Sequence, residues 1–293
     1  MSCEQHQNLE ISTMSYYTNR RIALLTRHGK ETVLVPLLEN AIACHVEHVH
    51  GYDTDQLGTF TREVPRIENQ MDTARKKARI GMKLCGQPLG IASEGSFGSD
   101  PFLGVMSWNR ELVVLIDDEA QIEIIGEAQG PGNHQYFLTA DWSEALEFAK
   151  TAGFPGQHLI LRPDNEHDRR MQKDIYNWQL YENSFKTAAS YSSAGKVFIE
   201  TDGRAHANPM RMKMIEKAAE DLLRKIQSRC PACGMPGFSV TQRFPGLPCA
   251  DCGRPTSIIH AELFVCQKCG ERRKIELDDQ ELADPMYCNF CNP

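Results

Sequence analysis

The stretch "CPACGMPGF" (residues 230–238) opens the part of the chain whose fold follows most directly from its sequence. Its Cys-x-x-Cys pair is the first of four in the last 64 residues, and the four pairs are Cys230/Cys233, Cys249/Cys252, Cys266/Cys269 and Cys288/Cys291. Each such turn presents two sulfur atoms to one point, and a tetrahedral zinc ion with four thiolate ligands requires two of these turns. The eight cysteines therefore predict two zinc sites in a small, double zinc-ribbon-like domain over residues 229–293.

The spacing between the pairs leaves their partnership open. Fifteen residues separate Cys233 from Cys249 and eighteen separate Cys269 from Cys288, and both gaps suit a two-knuckle zinc site. We therefore expect sequential pairing, first with second and third with fourth. The alternative is an interleaved arrangement, first with third and second with fourth. Four thiolates leave no coordination position for water, so the two zinc ions are expected to be structural and not catalytic.

The composition limits the classes of function that apply. The 293 residues carry a net charge of −7 from 32 Lys/Arg and 39 Asp/Glu, so no overall positive field attracts nucleic acid. From residue 230 onward there are six Lys/Arg and eight Asp/Glu, and only "RRK" (272–274) forms a basic run. Phosphate binding depends on local positive charge, so a protein partner for the tail is favoured over nucleic acid.

The sequence also predicts where the protein is found. It contains no stretch of the roughly 18 apolar residues that a membrane span needs. Residues 1–19 have no apolar core of the signal-peptide type, and we expect them to form a disordered polar tail. These observations predict a cytoplasmic protein without a membrane partner. Cysteines in that compartment stay reduced, which agrees with zinc ligands and argues against disulfides.

Residues 20–228 alternate between strand and helix patterns, which is typical of an α/β domain, and we expect a mixed sheet with flanking helices. Predicted strands lie at 20–26, 45–50, 89–93, 111–117, 120–128, 157–163 and 196–201. Predicted helices lie at 31–43, 67–85, 141–153 and 208–227. The helix from Ile67 to Cys85 has the clearest periodicity, with apolar residues at steps of three and four. Residues 164–195 match neither pattern and stay unassigned.

Three stretches of this domain are candidates for chemistry, because ligands of α/β domains gather beyond the carboxyl ends of strands. One of them, residues 53–79, is acidic and then basic, and its alternative is an ordinary helical pair of Asp72 with Lys76. "TRHGKE" (26–31) places a glycine and Lys30 at a helix start, where backbone amides and a lysine suit a phosphate. The alternative is a turn without a ligand. "SEGSFGSDP" (93–101) is predicted as a turn after a strand, where Glu94 and Asp100 could hold Mg²⁺. The alternative there is a hairpin loop.

Three stretches resemble the inosine triphosphatase and Maf-like nucleotide pyrophosphatases, namely "ALLTRHGKE" (23–31), "DTARKKA" (72–78) and "CGQPLGIASEG" (85–95). Those enzymes hold a triphosphate with a Thr-x-Asn-x-x-Lys turn and carry a Glu-Asn-Ala-x-x-Lys-Ala helix. The resemblance implies that Lys30 contacts phosphates and that Asp72 and Glu94 bind magnesium or activate water.

The same resemblance implies a wider set of ligand contacts. The set consists of His28, Gly29, Lys30, Ser93, Ser96 and Arg211. Arg211 enters through "RAHANPMRM" (204–212), which is similar to the Ser-His-Arg helix start of those enzymes. The chain departs from their pattern at both stretches. It has His28 where they have asparagine, in a turn that is one residue shorter, and Ser93-Glu94 where they have Asp-Asp.

The combination of "HGKE" (28–31), "DTDQLGTFT" (53–61), "ASEGSFG" (92–98) and the cysteine tail resembles an uncharacterised bacterial family of unknown function. This second resemblance implies an architecture and no activity. The expected function is therefore a magnesium-dependent hydrolase of a phosphorylated nucleotide or similar small molecule, in which Lys30 and the metal stabilise charge on phosphate oxygens. The alternatives are a non-catalytic, zinc-binding interaction protein and a weak nucleic-acid binder that uses the tail.

Overall fold

A five-stranded sheet forms the centre of the structure, a computed structural model that describes residues 15–277 and 282–293. Its strands are Arg21–Leu24 (β1), His45–His48 (β2), Leu89–Ser99 (β3), Ser107–Asp117 (β4) and Ile122–Pro131 (β5). Their order is β2-β1-β3-β4-β5. β1 runs parallel to β2 and β3, whereas β3, β4 and β5 form an antiparallel meander. The predicted α/β class with a mixed sheet is confirmed.

Helices cover both faces of this sheet. The α-helices of the described residues are Glu31–Ile42 (α1), Gln70–Cys85 (α2), Trp142–Thr151 (α3), Trp178–Tyr191 (α4) and Pro209–Gln227 (α5). Alternate strand residues point to opposite faces. Val113 and Leu115 of β4 accordingly share a core with α1 and α5, while Val114 and Ile116 pack with α2. Within residues 15–277 and 282–293 no helix combines the length and the apolar character that crossing a membrane requires.

Helix α2 begins three residues later than its periodicity predicted. Asn69 caps it, because the Asn69 side chain accepts a hydrogen bond from the backbone N–H of Asp72. Ile67 lies before this cap with 94% of its surface exposed, so its assignment to the helix face was wrong. Ala74 and Ala78 are fully buried against the sheet, as the pattern predicted.

A second, antiparallel sheet is inserted between β5 and α5. Its strands are Tyr136–Thr139 (β6), Leu159–Pro163 (β7), Gln172–Ile175 (β8) and Val197–Thr201 (β9), in the order β6-β9-β7-β8. Helices α3 and α4 pack on it around Tyr181 and Phe185. β6 was not predicted, and the unassigned residues 164–195 contain β8 and α4. We call residues 132–208 the inserted unit.

The predicted turn at 93–101 is largely strand. β3 continues through it and pairs with β4 from Leu89↔Asp117 to Ser99↔Ser107. This segment lacks the alternation of apolar residues that is typical of a strand. One of its polar side chains, Ser96, donates a hydrogen bond to Gln70 of α2. The reversal comes afterwards, where the Asp100 carboxylate accepts hydrogen bonds from four backbone N–H groups. These bonds hold the pKa of Asp100 well below its usual range, and they give this residue a turn-forming role.

The cysteine-rich tail forms a three-stranded antiparallel sheet that docks on the first sheet. Its strands are Ser239–Pro245 (β10), Ile259–Val265 (β11) and Arg272–Glu276 (β12). Lys268 donates to the carbonyl oxygen of Ala120 at 2.9 Å, and the Gln267 side chain accepts from the backbone N–H of Glu123 at 3.0 Å. At the other end of the chain, residues 1–14 of the predicted tail lie outside the described residues, while Tyr17 is fully buried.

Gly126 on β5 permits the close approach of α5, the helix that leads into the tail. A Cβ atom at Gly126 would lie 2.1 Å from the carbonyl oxygen of Ala218 and 2.5 Å from the backbone nitrogen of Leu222. We expect Gly126→Ala to lower the free energy of unfolding by about 2–3 kcal/mol, because a rigid helix has to move away from the sheet. Urea denaturation measures this change.

The matched control is Gly98→Ala on β3 of the same sheet, where a Cβ atom would meet nothing within 4 Å. That variant should stay within about 0.5–1 kcal/mol of the wild type, the usual range for a glycine replaced in an open strand position. Equal destabilisation by both substitutions would show that the approach of α5 does not depend on Gly126.

Candidate functional site

A small pocket lies where β1 ends and β3 continues. Leu24, the last residue of β1, pairs with Ile91, so Ser93 and Glu94 of β3 extend beyond the edge of β1. The turn from β1 to α1 closes one side, and the loop at 54–61 closes another. The first turn of α5 and the inserted unit complete the wall. The cavity volume is about 60 Å³, which is room for a phosphate-sized group or a few water molecules.

The wall of this pocket is positive although the chain is acidic. Its basic members are Arg27, Lys30, Lys77, Lys173, Arg204 and Arg211, and its acidic members are Asp55, Glu63 and Glu94. Each acidic group is already paired, Asp55 with Arg27 and His28, and Glu63 with Lys173. Carboxylates outside the lining pair with three of the cations, namely Arg27, Arg204 and Arg211. After these pairs are formed, Lys30 remains without a carboxylate partner among the described residues, and it suits an anionic ligand.

Lys30 is the cation of the pocket that lacks a carboxylate partner. Its Nζ atom donates to the carbonyl oxygen of Ser93 at 3.3 Å and to the Ser93 hydroxyl at 3.1 Å. Among the residues that the structure describes, no carboxylate oxygen lies within 4.0 Å of it. Burial, together with the nearby charges of Arg211 and Lys77, lowers the pKa of Lys30 to about 7. A protonated lysine has three N–H donors, so one donor is left for a ligand.

Glu94 stands beside Lys30 with both carboxylate oxygens occupied. Arg66 binds Oε1 and Lys77 binds Oε2. Burial alone would raise the pKa of Glu94, but Lys77, Lys30 and Arg66 outweigh it and hold the pKa below its usual value. Glu94 is therefore ionised and serves the cations of the pocket as a counter-charge.

Arg211 is fixed by a buried network at the start of α5. Its Nε atom donates to Glu111 Oε1 at 2.7 Å, and its Nη1 atom donates to the carbonyl oxygen of Gly203 at 2.7 Å. The guanidinium also lies 4.2 Å from the centre of the Phe60 ring, within cation–π distance. Gly95 makes the approach possible, since a Cβ atom there would lie 2.1 Å from Glu111 Oε1.

The structure brings most of the predicted site residues together. His28, Lys30, Ser93, Glu94 and Arg211 all line the pocket. Their chemical roles stay predictions.

Three predicted residues lie elsewhere. Gly29 adopts a left-handed φ of +76° in the turn and lies behind the pocket wall, next to His206. Ser96 binds Gln70, and Asp72 is half-exposed on α2 in an ion pair with Arg75. Asp72 is therefore not placed to reach a ligand that contacts Lys30.

A group of residues at the rim of the pocket was not predicted from the sequence. The group consists of His158, Asp174 and His206. Each residue offers one potential ligand atom, and these three atoms lie within 4.8 Å of one another. The His206 ring stacks on His28 with 5.3 Å between ring centres. The three residues come from three separate loops and strands of the inserted unit, and no short motif connects them. Only the assembled inserted unit reveals the group.

The eight paired cysteines form two clusters in the tail. The first contains Cys230, Cys233, Cys266 and Cys269, and the second contains Cys249, Cys252, Cys288 and Cys291. Sulfur atoms of different knuckles are 3.6–3.8 Å apart, and all eight cysteines are free of disulfides. Tetrahedral zinc with bonds of about 2.3 Å separates its sulfur ligands by about 3.8 Å. Both clusters therefore have the donor set and the spacing to hold a zinc ion.

The clusters are interleaved, so the expectation of sequential pairing was wrong. The cause is the antiparallel pairing of β10 with β11, from Ser239↔Val265 to Pro245↔Ile259. This pairing places the knuckle before β10 beside the knuckle after β11, and it moves the second knuckle to the opposite end of the sheet. β12 then returns the chain to that opposite end, where the fourth knuckle meets the second.

Comparison with known proteins finds one family. A protein-family model described as "Domain of unknown function (DUF6671)" matches residues 77–293, a span that includes both cysteine clusters and the inserted unit. No curated protein, and hence no curated nucleotide pyrophosphatase, matches the chain.

Paired cysteine substitutions distinguish the two arrangements of the tail. We expect the double variant Cys230→Ser/Cys266→Ser to retain one zinc per chain, because both ligands belong to one cluster. Cys230→Ser/Cys249→Ser should retain none, because each cluster loses a ligand. Elemental analysis of the full-length variants after chelator dialysis measures the content. Sequential pairing predicts the reverse, namely none in the first variant and one in the second.

Proposed function

The chain belongs to the family described as a domain of unknown function (DUF6671), so its function has to be inferred from its own site, and we propose that the pocket binds the phosphate group of a small phosphorylated molecule. The observation that carries this proposal is that Lys30, a buried cation without a carboxylate partner among the described residues, lies in the wall of this pocket. Six Lys/Arg line it against three Asp/Glu, while the whole chain has a net charge of −7.

The contacts of Lys30 and Arg211 support the same ligand. Lys30 has an unused donor and no carboxylate partner among the described residues, so a phosphate oxygen would complete its coordination. Arg211 is held rigidly by Glu111 and Gly203, which reduces the entropy lost when an anion binds. The cavity volume of about 60 Å³ accommodates the phosphate and leaves the rest of the molecule outside.

The proposal is tested by calorimetric titration with sulfate, which stays a dianion from about pH 6.5 to 8.5. Lys30 has its pKa of about 7 in this range. Burial holds the pKa of His28 below its ordinary value, and Glu94 stays ionised. An anion binds the protonated lysine, so the affinity for sulfate should fall by up to about tenfold per pH unit above pH 7.

Lys30→Met should bind sulfate weakly and lose the pH dependence. It should also fold, since a lysine whose pKa is lowered in the folded chain destabilises the folded state, fully below pH 7 and progressively less as the pH rises to the ordinary lysine pKa, and methionine removes this cost. Lys186→Met, which removes an exposed lysine of α4, is the matched control and should behave as the wild type. Equal sulfate affinity in Lys30→Met and wild type would contradict the proposal, as would a wild type that binds no sulfate.

We also propose, second to binding, magnesium-dependent hydrolysis of a phosphoanhydride, which rests on the resemblance of the turn at 26–31 to nucleotide pyrophosphatases. In this reaction Lys30 and Arg211 would stabilise charge on phosphate oxygens. Glu94 would have to leave Arg66 or Lys77 to bind magnesium, which makes binding the better supported function. If hydrolysis occurs, pyrophosphate release from nucleoside triphosphates with magnesium should drop at least about 100-fold in Lys30→Met. No release by the wild type would exclude this second proposal and leave phosphate binding in place.

The tail receives a separate proposal. We infer that its two clusters hold structural zinc, and that the exposed edge strand β12 is the surface through which the tail would meet a protein partner. Three Lys/Arg and one glutamate lie on this strand. Such charges protect an edge strand from aggregation and restrict its partners.

A further inference from the structure

His158, Asp174 and His206 meet at one point of the inserted unit. His158 precedes β7, Asp174 lies on β8, and His206 lies in the short turn between β9 and α5. Backbone hydrogen bonds bring the first and the last together, because the N–H of His158 donates to the carbonyl oxygen of Ala207 at 2.9 Å. The carbonyl oxygen of His158 accepts from the N–H of Asp202, also at 2.9 Å. The main chain therefore holds the two imidazoles side by side.

We propose that these three residues bind a divalent transition-metal ion at the rim of the pocket. The Nε2 atom of His206 lies 3.3 Å from Oδ1 of Asp174. Tetrahedral ligands with metal bonds of 2.0–2.1 Å are about 3.4 Å apart, so this pair already has the required spacing. The third ligand atom lies within 4.8 Å of both, which leaves a small closing movement for the His158 ring.

His158 carries the second observation. Its Nδ1 atom is buried and has no hydrogen-bond partner among the described residues. A buried polar atom without a partner is destabilising by about 1–3 kcal/mol, and proteins rarely keep one without a reason. A metal bond at the imidazole, accompanied by a reorientation of the ring, provides that reason.

Asp174 carries a third observation. Its backbone has a φ of +59°, in the left-handed region that residues other than glycine rarely adopt. Conformations of this kind cost on the order of 1 kcal/mol and are concentrated at functional sites. Its Oδ1 atom also accepts a hydrogen bond from Arg204 at 2.6 Å, so the competing interpretation is a purely structural Arg204–Asp174–His206 network.

Arg204 can release Asp174 without becoming an unpaired cation. It makes a separate two-oxygen contact with the buried Asp202, at 3.0 and 3.1 Å from its Nε atom. A metal ion that takes over the Asp174 carboxylate therefore leaves Arg204 paired.

The donor set selects the class of metal. Two imidazoles and one carboxylate are typical of zinc, iron or cobalt sites that keep open coordination positions, whereas magnesium prefers oxygen ligands. The site differs in this respect from the closed cysteine clusters. His206 stacks on His28 and Arg204 lines the pocket, so the ion would lie one side chain away from the anion. Contact between ion and phosphate rests on the proposed function, whereas metal binding itself does not.

The test is titration of the full-length protein, with both cysteine clusters filled with zinc, by Co²⁺ in the absence of sulfate. We expect one Co²⁺ per chain with the weak absorption of nitrogen and oxygen ligation and without thiolate charge-transfer bands. His158→Ala and His206→Ala should each weaken this binding by at least about tenfold. The zinc content should stay at two per chain, which shows that the tail is folded, and an unchanged circular dichroism spectrum should show that the inserted unit is folded. Arg204→Gln should strengthen it, because a competing cation leaves Asp174.

His167→Ala is the matched control, since His167 is an exposed histidine of the same inserted unit outside the group. It should bind Co²⁺ as the wild type does. No third metal in the wild type, or equal Co²⁺ affinity in the wild type and His158→Ala, would overturn the proposal. The sulfate titration distinguishes this result from failure of the anion pocket. A wild type that binds sulfate but no Co²⁺ would exclude the metal site alone and leave the anion pocket in place.

Discussion

The pairing of β3 with β4 beyond the end of β1 is the constraint on which the site depends. β1 pairs with β3 only at Ala23↔Gly90 and Leu24↔Ile91, whereas the ladder between β3 and β4 continues to Ser99. The free stretch of β3 therefore forms the floor of the pocket. Because Gly95 stands opposite Glu111 in this ladder, the carboxylate that anchors Arg211 lies directly under the pocket. Register in the sheet thus positions the charges.

The charges themselves oppose stability. Lys30, Glu94, Glu111 and Arg211 are each at most 5% exposed, and taking such groups out of water costs more than their mutual attraction usually returns. The folded chain tolerates them because the carboxylates stay paired and Arg211 donates hydrogen bonds to Glu111 and Gly203. Burial of a cation with an unused donor is expensive unless a ligand uses it. Lys30 in the anion pocket and His158 at its rim share this property of an unsatisfied buried group, and each proposal draws on it.

Strand register also determines which sulfur atoms meet in the tail. An antiparallel hairpin sends successive knuckles to opposite ends, so each cluster joins segments that are more than thirty residues apart. Contacts of Lys268 with the turn before β5 and of Gln267 with β5 itself attach the first cluster to the central sheet. The second cluster lies at the far end of the small sheet. Folding of the tail and docking of the tail are therefore coupled through one knuckle.

The sequence by itself determined the features that local pattern encodes. The Cys-x-x-Cys turns, the strand–turn–helix around Lys30 and the amphipathic α2 follow from spacing and periodicity within a few residues. Tertiary structure alone decided which knuckles pair, that Ser93–Ser99 is strand, and that His158, Asp174 and His206 meet. Asp72 and Glu94 illustrate this difference. Both belong to stretches with the same resemblance, but Glu94 lines the pocket whereas Asp72 pairs with Arg75 on α2. The physical reason is that sheet register and backbone hydrogen bonds between distant segments set these contacts, and neither leaves a trace in local composition.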